Sequence, residues 1–364
     1  MGMWLVIMFV GLLFTAVSLL YLKSRVEKFS PVNVKNKSLI SSLIVVLIFS
    51  VIGISLNFIN AIICAIYFAM IWCICDLVFG RIKKSYKHYY AGWVATILSI
   101  IILSCGWYLG HNVWKTEYNI ITQKSIPNLK IAMFADSHLG TTFNADGFAK
   151  HLETIASEKP DILVIAGDFV DDDTTKEDML RAVKYLGKFK TKYGIYFAFG
   201  NHDKGYYGPA YRGFSGQDLI SELEKNNIIV LRDEIKPIAD KFYIIGRKDY
   251  SVEREQHGKR KSMYELVAGL NKNEYTIVID HQPTDYENQA KSNVDLVLSG
   301  HTHGGQLFPF NNVGKWIGAN DRVYGYEKRN NSNFIVTSGI SDWAIKFKTG
   351  TKSEFVIINI TKGI

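Results

Sequence analysis

Four stretches within the first 110 residues of this 364-residue chain are each long and apolar enough to cross a bilayer. They run from Trp4 to Leu22, Leu39 to Ile59, Ala61 to Phe79 and Tyr90 to Leu109. A crossing needs about 20 apolar residues. Lipid offers nothing to an unpaired peptide group, so each stretch is expected to be helical. The second and third are separated only around Asn57 and Asn60 and read as a tight helical hairpin. The first lacks a positively charged leader and nearly spans by itself, which argues against a cleaved signal peptide.

Charge follows the same division. Residues 1–126 carry 11 Lys+Arg and 3 Asp+Glu, a net of +8, whereas residues 127–364 carry 31 of each. The pI of about 9.0 therefore belongs to the apolar third and excludes a basic nucleic-acid-binding domain. At 48% hydrophobic, the composition also excludes a disordered chain. Lys23, Arg25, Lys28, Lys35 and Lys37 follow the first span, and Arg81, Lys83, Lys84 and Lys87 follow the third. Positive loops stay cytoplasmic. The expectation is a multi-pass plasma-membrane protein with the bilayer as a partner and its C-terminal domain extracytoplasmic. Tyr86, Tyr89, Tyr90 and Trp93 at one end of the fourth span, and Trp107, Tyr108 and Trp114 at the other, fit interfacial belts. Asp76, the one acid inside a span, reads as an interfacial acid near Arg81. Cys64, Cys73, Cys75 and Cys105 all lie in apolar runs, so no disulfide is expected in the C-terminal domain.

The expected organisation is a four-helix membrane domain over 1–109, a short linker over 110–126 and an α/β domain over 127–364. In the last, β-branched and aromatic runs recur at Leu129–Phe134, Asp161–Ala166, Gly194–Phe199, Phe242–Ile245, Tyr275–Ile279, Val294–Leu298, Phe334–Val336 and Phe355–Ile360. Helical patterns intervene at Ala145–Ser157, Lys176–Phe189, Gln217–Lys225 and Ser262–Leu270. Unbroken apolar runs of this length are strands buried on both faces.

Five of these strands end in a cluster of metal-ligand residue types. They hold Asp136 and His138; Asp168 and Asp171; Asn201, His202 and Asp203; Asp280 and His281; and His301 and His303. In an open α/β sheet, ligands bind at the carboxyl ends of the strands. The five clusters are therefore expected to converge. Carboxylate and imidazole without thiolate select Mn, Zn, Fe or similar divalent ions. The donors suffice for two, and a carboxylate such as Asp168 can bridge a pair.

These blocks, Asp-x-His, Gly-Asp-x-x-Asp, Gly-Asn-His-Asp, His and Gly-His-x-His in order over Asp136–His303, resemble the calcineurin-like metallophosphoesterase superfamily. Ser299–Gln306, reading Ser-Gly-His-Thr-His-Gly-Gly-Gln, is similar to its membrane-associated bacterial branch. The resemblance implies a four-layer α-β-β-α sandwich behind an all-α membrane domain of four transmembrane helices. It also implies hydrolysis of a phosphodiester or phosphomonoester by metal-bound hydroxide. Asp136, His138 and His303 would hold one metal and Asn201, His281 and His301 the other, with Asp168 bridging. His202 would act on the phosphate or leaving oxygen, Asp203 would orient it, and Asp171 would support a ligand. The chain departs from the branch at Ser338–Thr349, which lacks the usual Pro and Arg. Lys346 or Lys348 is then the expected phosphate-binding cation.

Tyr206–Phe214 supplies aromatics and one Arg beside the third block, and Tyr211 and Arg212 are the candidate substrate contacts. The expected substrate is a lipid-linked or cell-envelope phosphate ester, with a diester favoured over a monoester. A membrane-anchored sensor or scaffold with a structural metal site is the competing reading. His202 separates the two, because metal binding alone does not need it.

Overall fold

The computed structural model describes residues 2–30, 34–82, 88–239 and 241–363. Lys83, Lys84, Tyr86 and Lys87 lie outside the described residues. The chain forms two compact units, Met1–Tyr108 with Ala344–Lys346, and Leu109–Trp343 with Phe347–Ile364.

The first unit holds four helices long and apolar enough to cross a membrane. They are α1 (Gly2–Val26), α2 (Lys37–Ser55), α3 (Phe58–Arg81) and α4 (Tyr90–His111). The hairpin between α2 and α3 is two residues long, and Asn57 closes it by accepting the Asn60 amide at 2.9 Å. Asp76 is held by Arg25 rather than Arg81. Its carboxylate lies 2.8 Å from Arg25 Nε and accepts from Tyr21 at 3.0 Å and Tyr89 at 2.6 Å. One turn from the helix end, it thus finds a cation and two hydroxyls, which removes the cost of an unpaired intramembrane charge.

The second unit is built on two six-stranded sheets. The first runs β1 (Val113–Thr122), β12 (Ser353–Lys362), β2 (Leu129–Phe134), β3 (Ile162–Ala166), β4 (Ile195–Ala198), β5 (Ile228–Leu231). The second runs β10 (Gly325–Arg329), β11 (Ser332–Val336), β9 (Leu296–Ser299), β8 (Tyr275–Ile279), β7 (Phe242–Gly246), β6 (Glu234–Ile238). β2 to β5 pair in parallel, as do β7, β8, β9 and β11. Parallel strands need crossovers, and helices on the outer faces provide them.

Three apolar layers hold the stack together. Between the sheets, Ile131, Met133 and Val164 meet Ile244, Ile277 and Leu298. Outside the first sheet, α5 (Ala145–Ser157) buries Phe148, Leu152 and Ile155, and α6 (Lys176–Lys188) buries Met179, Val183 and Leu186. Those positions repeat at helical spacing, so one face of each helix is apolar. Asn144 and Thr175 fix the starts of α5 and α6 by accepting the amides of Gly147 and Asp178. Outside the second sheet, Met263, Leu266, Tyr286 and Ala290 pack on Val278, Val297 and Phe334. The order is helix, sheet, sheet, helix: the four-layer α-β-β-α sandwich.

The segment 110–126, expected as a linker, is mostly strand. β1 begins after a single residue beyond α4 and pairs in parallel with β12 from Val113 to Thr122. Its sequence, VWKTEYNIIT, mixes charge with apolar residues because it is a sheet edge with one outer flank. β5, β6 and β10 also went unread, and these four are the four sheet edges.

Candidate metal centre

The clusters do converge, at the carboxyl ends of β2, β3, β4, β8 and β9. The backbone makes tight turns there. Asp136, His138, Asp168, His301 and His303 adopt positive φ of 55°, 34°, 50°, 70° and 49°. Left-handed backbone at a non-glycine residue costs on the order of 1 kcal/mol or more and persists where the surroundings enforce it. The motif glycines permit close approach. A Cβ on Gly200 would lie 2.1 Å from Asp168 Oδ1, and one on Gly167 would lie 2.5 Å from His281 Nδ1.

Four imidazoles are anchored in the same sense. His138 Nδ1 lies 2.8 Å from Asp171 Oδ2, and His202 Nδ1 lies 3.0 Å from Asp171 Oδ1. His281 Nδ1 donates to Ala166 O at 2.7 Å, and His303 Nδ1 to Ser341 O at 3.3 Å. In His138, His281 and His303, Nε2 is left facing inward. An outer partner on one ring nitrogen fixes the tautomer and orients the other for a metal. His138 Nε2 and His303 Nε2 are 3.2 Å apart. Two nitrogens about 2.0–2.1 Å from one tetrahedral ion would stand roughly 3.3 Å apart.

The carboxylates close the centre. Asp168 Oδ2 is 3.0 Å from His281 Nε2 and 3.8 Å from His138 Nε2, and Asp168 Oδ1 accepts the His202 amide at 2.8 Å. Asp136 accepts the His301 amide with both oxygens, at 2.9 and 3.0 Å, and its Oδ1 lies 3.9 Å from His303 Nε2. Asp136, His138 and His303 form one group able to hold a cation, and Asp168, His281 and His301 form another.

Two further observations fit these residues to a bound cation. Asn201 Oδ1 is buried without a hydrogen-bond partner, and the Nε2 of His281, although 3.0 Å from Asp168, is not aligned to bond it. A buried acceptor left unsatisfied costs about 1–3 kcal/mol. The charges divide the rings. Against burial, Asp168 raises His281 well above its usual value, whereas burial and the charge on His281 push His301 down to about 3, and burial with His138 pushes His303 well down, leaving these two rings neutral with a lone pair to offer. Burial opposes ionisation of Asp168 and Asp171, yet the surrounding histidines hold both well below the usual carboxylate range.

Three expected roles change. Asp203 does not touch the His202 ring. Its buried carboxylate accepts four backbone amides, from Gly200 at 2.8 Å, Asp168 at 2.9 Å, Phe169 at 2.9 Å and Val170 at 3.1 Å. Burial and the charge on Asp168 push it up to about 7 against the pull of those amides. Asp171 is the carboxylate that orients His202, and it holds His138 with its other oxygen. Arg212 is buried and donates to the carbonyls of Asp203 at 2.6 Å and Phe214 at 3.1 Å, so it fastens the loop instead of meeting substrate. Tyr211 is 62% exposed against Tyr207. Lys348 is fully buried and donates to the carbonyls of Ser338 at 2.7 Å and Ser341 at 3.1 Å, which withdraws it from phosphate. Asp280 likewise serves structure, gripped by Arg247 and Arg260 at 2.9 Å each.

Other residues near the centre were not foreseen. Tyr206 Oη accepts from Asn201 Nδ2 at 3.0 Å, and so turns the carbonyl oxygen of that amide inward. Asp172 fixes the Tyr206 and Tyr207 amides at 3.1 and 3.0 Å. Trp343 and Tyr206 each stand with ring centroids 5.1 Å from His202. Tyr206→Phe is expected to weaken divalent-ion binding by about 10- to 100-fold, the usual effect of losing a ligand's outer partner, with the fold intact. Isothermal titration of Mn into metal-stripped protein measures it.

A two-sheet α/β sandwich with carboxylates, an amide and imidazoles gathered at its parallel strand ends defines the class of a metal-dependent hydrolase. The calcineurin-like phosphoesterase family profile matches residues 129–305. An uncharacterized metallophosphoesterase of Campylobacter jejuni is 28% identical over 82% of this chain and 78% of its own length. One of Bacillus subtilis is 30% identical over 62% of this chain and 81% of its own. A Bos taurus transmembrane protein with a metallophosphoesterase domain is 27% identical over 63% of this chain and 52% of its own. The chain belongs to the calcineurin-like phosphoesterase family.

Proposed function

We propose that this protein is a membrane-anchored phosphoesterase that uses two divalent cations. Asp136, His138 and His303 would hold one, Asn201, His281 and His301 the other, with Asp168 between them. Such a pair supplies Lewis-acid activation of water and neutralises phosphate charge. The observation that carries the reading is the common orientation of His138, His281 and His303, each tied at Nδ1 and turned inward at Nε2.

His202 is the group that a purely structural metal site would not require. Against the burial that lowers it, Asp168 and Asp171 raise its pKa to about 9. Asp171 fixes its ring, and Nε2 is then the atom that donates to a phosphoryl or leaving oxygen. Trp343 and Tyr206 flank it, at 43% and 45% exposure, and would contact the group leaving phosphorus. The four apolar helices support a substrate that is itself membrane-borne, a lipid-linked or envelope phosphate ester. The cationic loops support an extracytoplasmic catalytic unit.

The test is the full-length protein in detergent, loaded with Mn, Zn or Fe and given an aryl phosphodiester and the matching monoester. We expect the diester to be cleaved faster, and His202→Ala to lower kcat by about 10²- to 10³-fold without loss of bound metal. Faster monoester cleavage would remove the diester preference. A metal-loaded protein that cleaves neither ester would favour the scaffold reading.

A further inference from the structure

Beyond the last ligand motif the chain makes an excursion before β10, and this excursion is unusually apolar. Over residues 307–320, LFPFNNVGKWIGAN, the sole charge is Lys315. Phe308, Phe310, Val313, Trp316 and Ile317 are 63%, 46%, 38%, 69% and 58% exposed. Among the described residues of the second unit, no other ten-residue stretch shows five large apolar side chains to solvent. A soluble surface scatters such residues singly, and a contiguous set marks an interaction site.

The excursion is also built into the centre. It leaves from the turn that carries His301 and His303. Its Phe310, Asn311 and Val313 line a cavity of about 250 Å³ whose other wall includes His301 and Thr302. Its base is fastened, with Phe308 N donating to Thr349 Oγ1 at 3.0 Å and Gly350 N to Gln306 O at 2.9 Å. The apolar tip is thus a fixed projection beside a candidate metal ligand.

Resting on the phosphoesterase reading above, we propose that residues 307–320 form an interfacial flap. It dips Phe308, Phe310, Trp316 and Ile317 into the headgroup boundary of a bilayer and admits an acyl-bearing phosphate ester to the His301 side of the centre. The occupant follows from two facts. Phenylalanine and tryptophan with a lone lysine and no acid is the composition that settles at a membrane–water boundary. The same chain carries four helices able to span a bilayer, which keeps the membrane at high effective concentration for the whole life of the protein.

The experiment uses the full chain reconstituted in phosphatidylcholine vesicles. Dibrominated phosphatidylcholine quenches tryptophan at acyl-chain depth, and the difference in emission between wild type and Trp316→Phe isolates Trp316. Quenching of that difference signal supports the flap, and an unquenched signal overturns it, whatever the enzyme hydrolyses. In parallel, p-nitrophenyl hexadecyl phosphate in the vesicles is compared with soluble bis(p-nitrophenyl) phosphate. Trp316→Ser with Ile317→Ser is expected to lower kcat/KM for the acylated ester by about tenfold and to leave the soluble ester unchanged. Equal effects on both esters, or none, overturn the delivery role. Failure of the wild type to cleave either ester sinks the phosphoesterase reading instead, and the quenching result then decides the flap alone.

Discussion

Asp168→Ala abolishes phosphate-ester hydrolysis, with kcat/KM falling by at least about 10³-fold, the order lost with a principal charge-stabilising group. The expectation rests on its position. Its Oδ2 lies 3.0 Å from His281 Nε2 in one group and 3.8 Å from His138 Nε2 in the other. Removing it deprives both groups of the carboxylate between them and removes the anion nearest His281. Retained metal falls together with activity, which elemental analysis of the purified protein reads. Asp168→Asn separates charge from shape: it keeps the acceptor for the His202 amide and loses the anion. Full metal content and activity in Asp168→Asn would refute the bridging role.

Asp203→Ala has the second large effect, on folding and not on chemistry alone. Four buried amides from the turns after β3 and β4 converge on this carboxylate, and alanine leaves all four without an acceptor. Disrupting a buried network of this kind costs roughly 3–5 kcal/mol. In a unit of about 250 residues that lowers Tm by on the order of 10 °C. Thermal unfolding of metal-stripped protein measures it, because stripping removes any contribution from ion binding. A variant with unchanged Tm and a selective loss of kcat would restore the role first expected for Asp203, orientation of His202.

The ligand residue types were legible because chemistry restricts them. Carboxylate, amide and imidazole side chains present the required donors, and here Asp, Asn and His each followed an apolar strand whose end had to face the same side of the molecule. The interior strands were legible because both their faces are buried. Three of the edge strands were not, since one flank meets water and charge is mixed into their sequences: Glu234–Ile238 even contains Pro237. The fourth, Ile228–Leu231, is only four residues long. The partners of the ligands were equally hidden. Whether Asp171 or Asp203 holds His202 depends on how two turns lie against each other. The neighbours Asp and His in Gly-Asn-His-Asp do not face one another. Arg212 and Lys348 looked like substrate cations because a sequence shows charge without burial. Both instead satisfy backbone carbonyls, the common fate of a cation enclosed by tight loops.

A sheet margin exposes peptide groups that a neighbouring molecule can annex. Three of the four margins here are defended, by Lys115 and Glu117 on β1, by Lys236 and Pro237 on β6, and by Glu327, Lys328 and Arg329 on β10. Were the four apolar helices to confine the chain to two dimensions, copies would collide side by side far more often than in free solution, and those charges and that missing amide would discourage intermolecular strand addition and the fibrous clumping it begins.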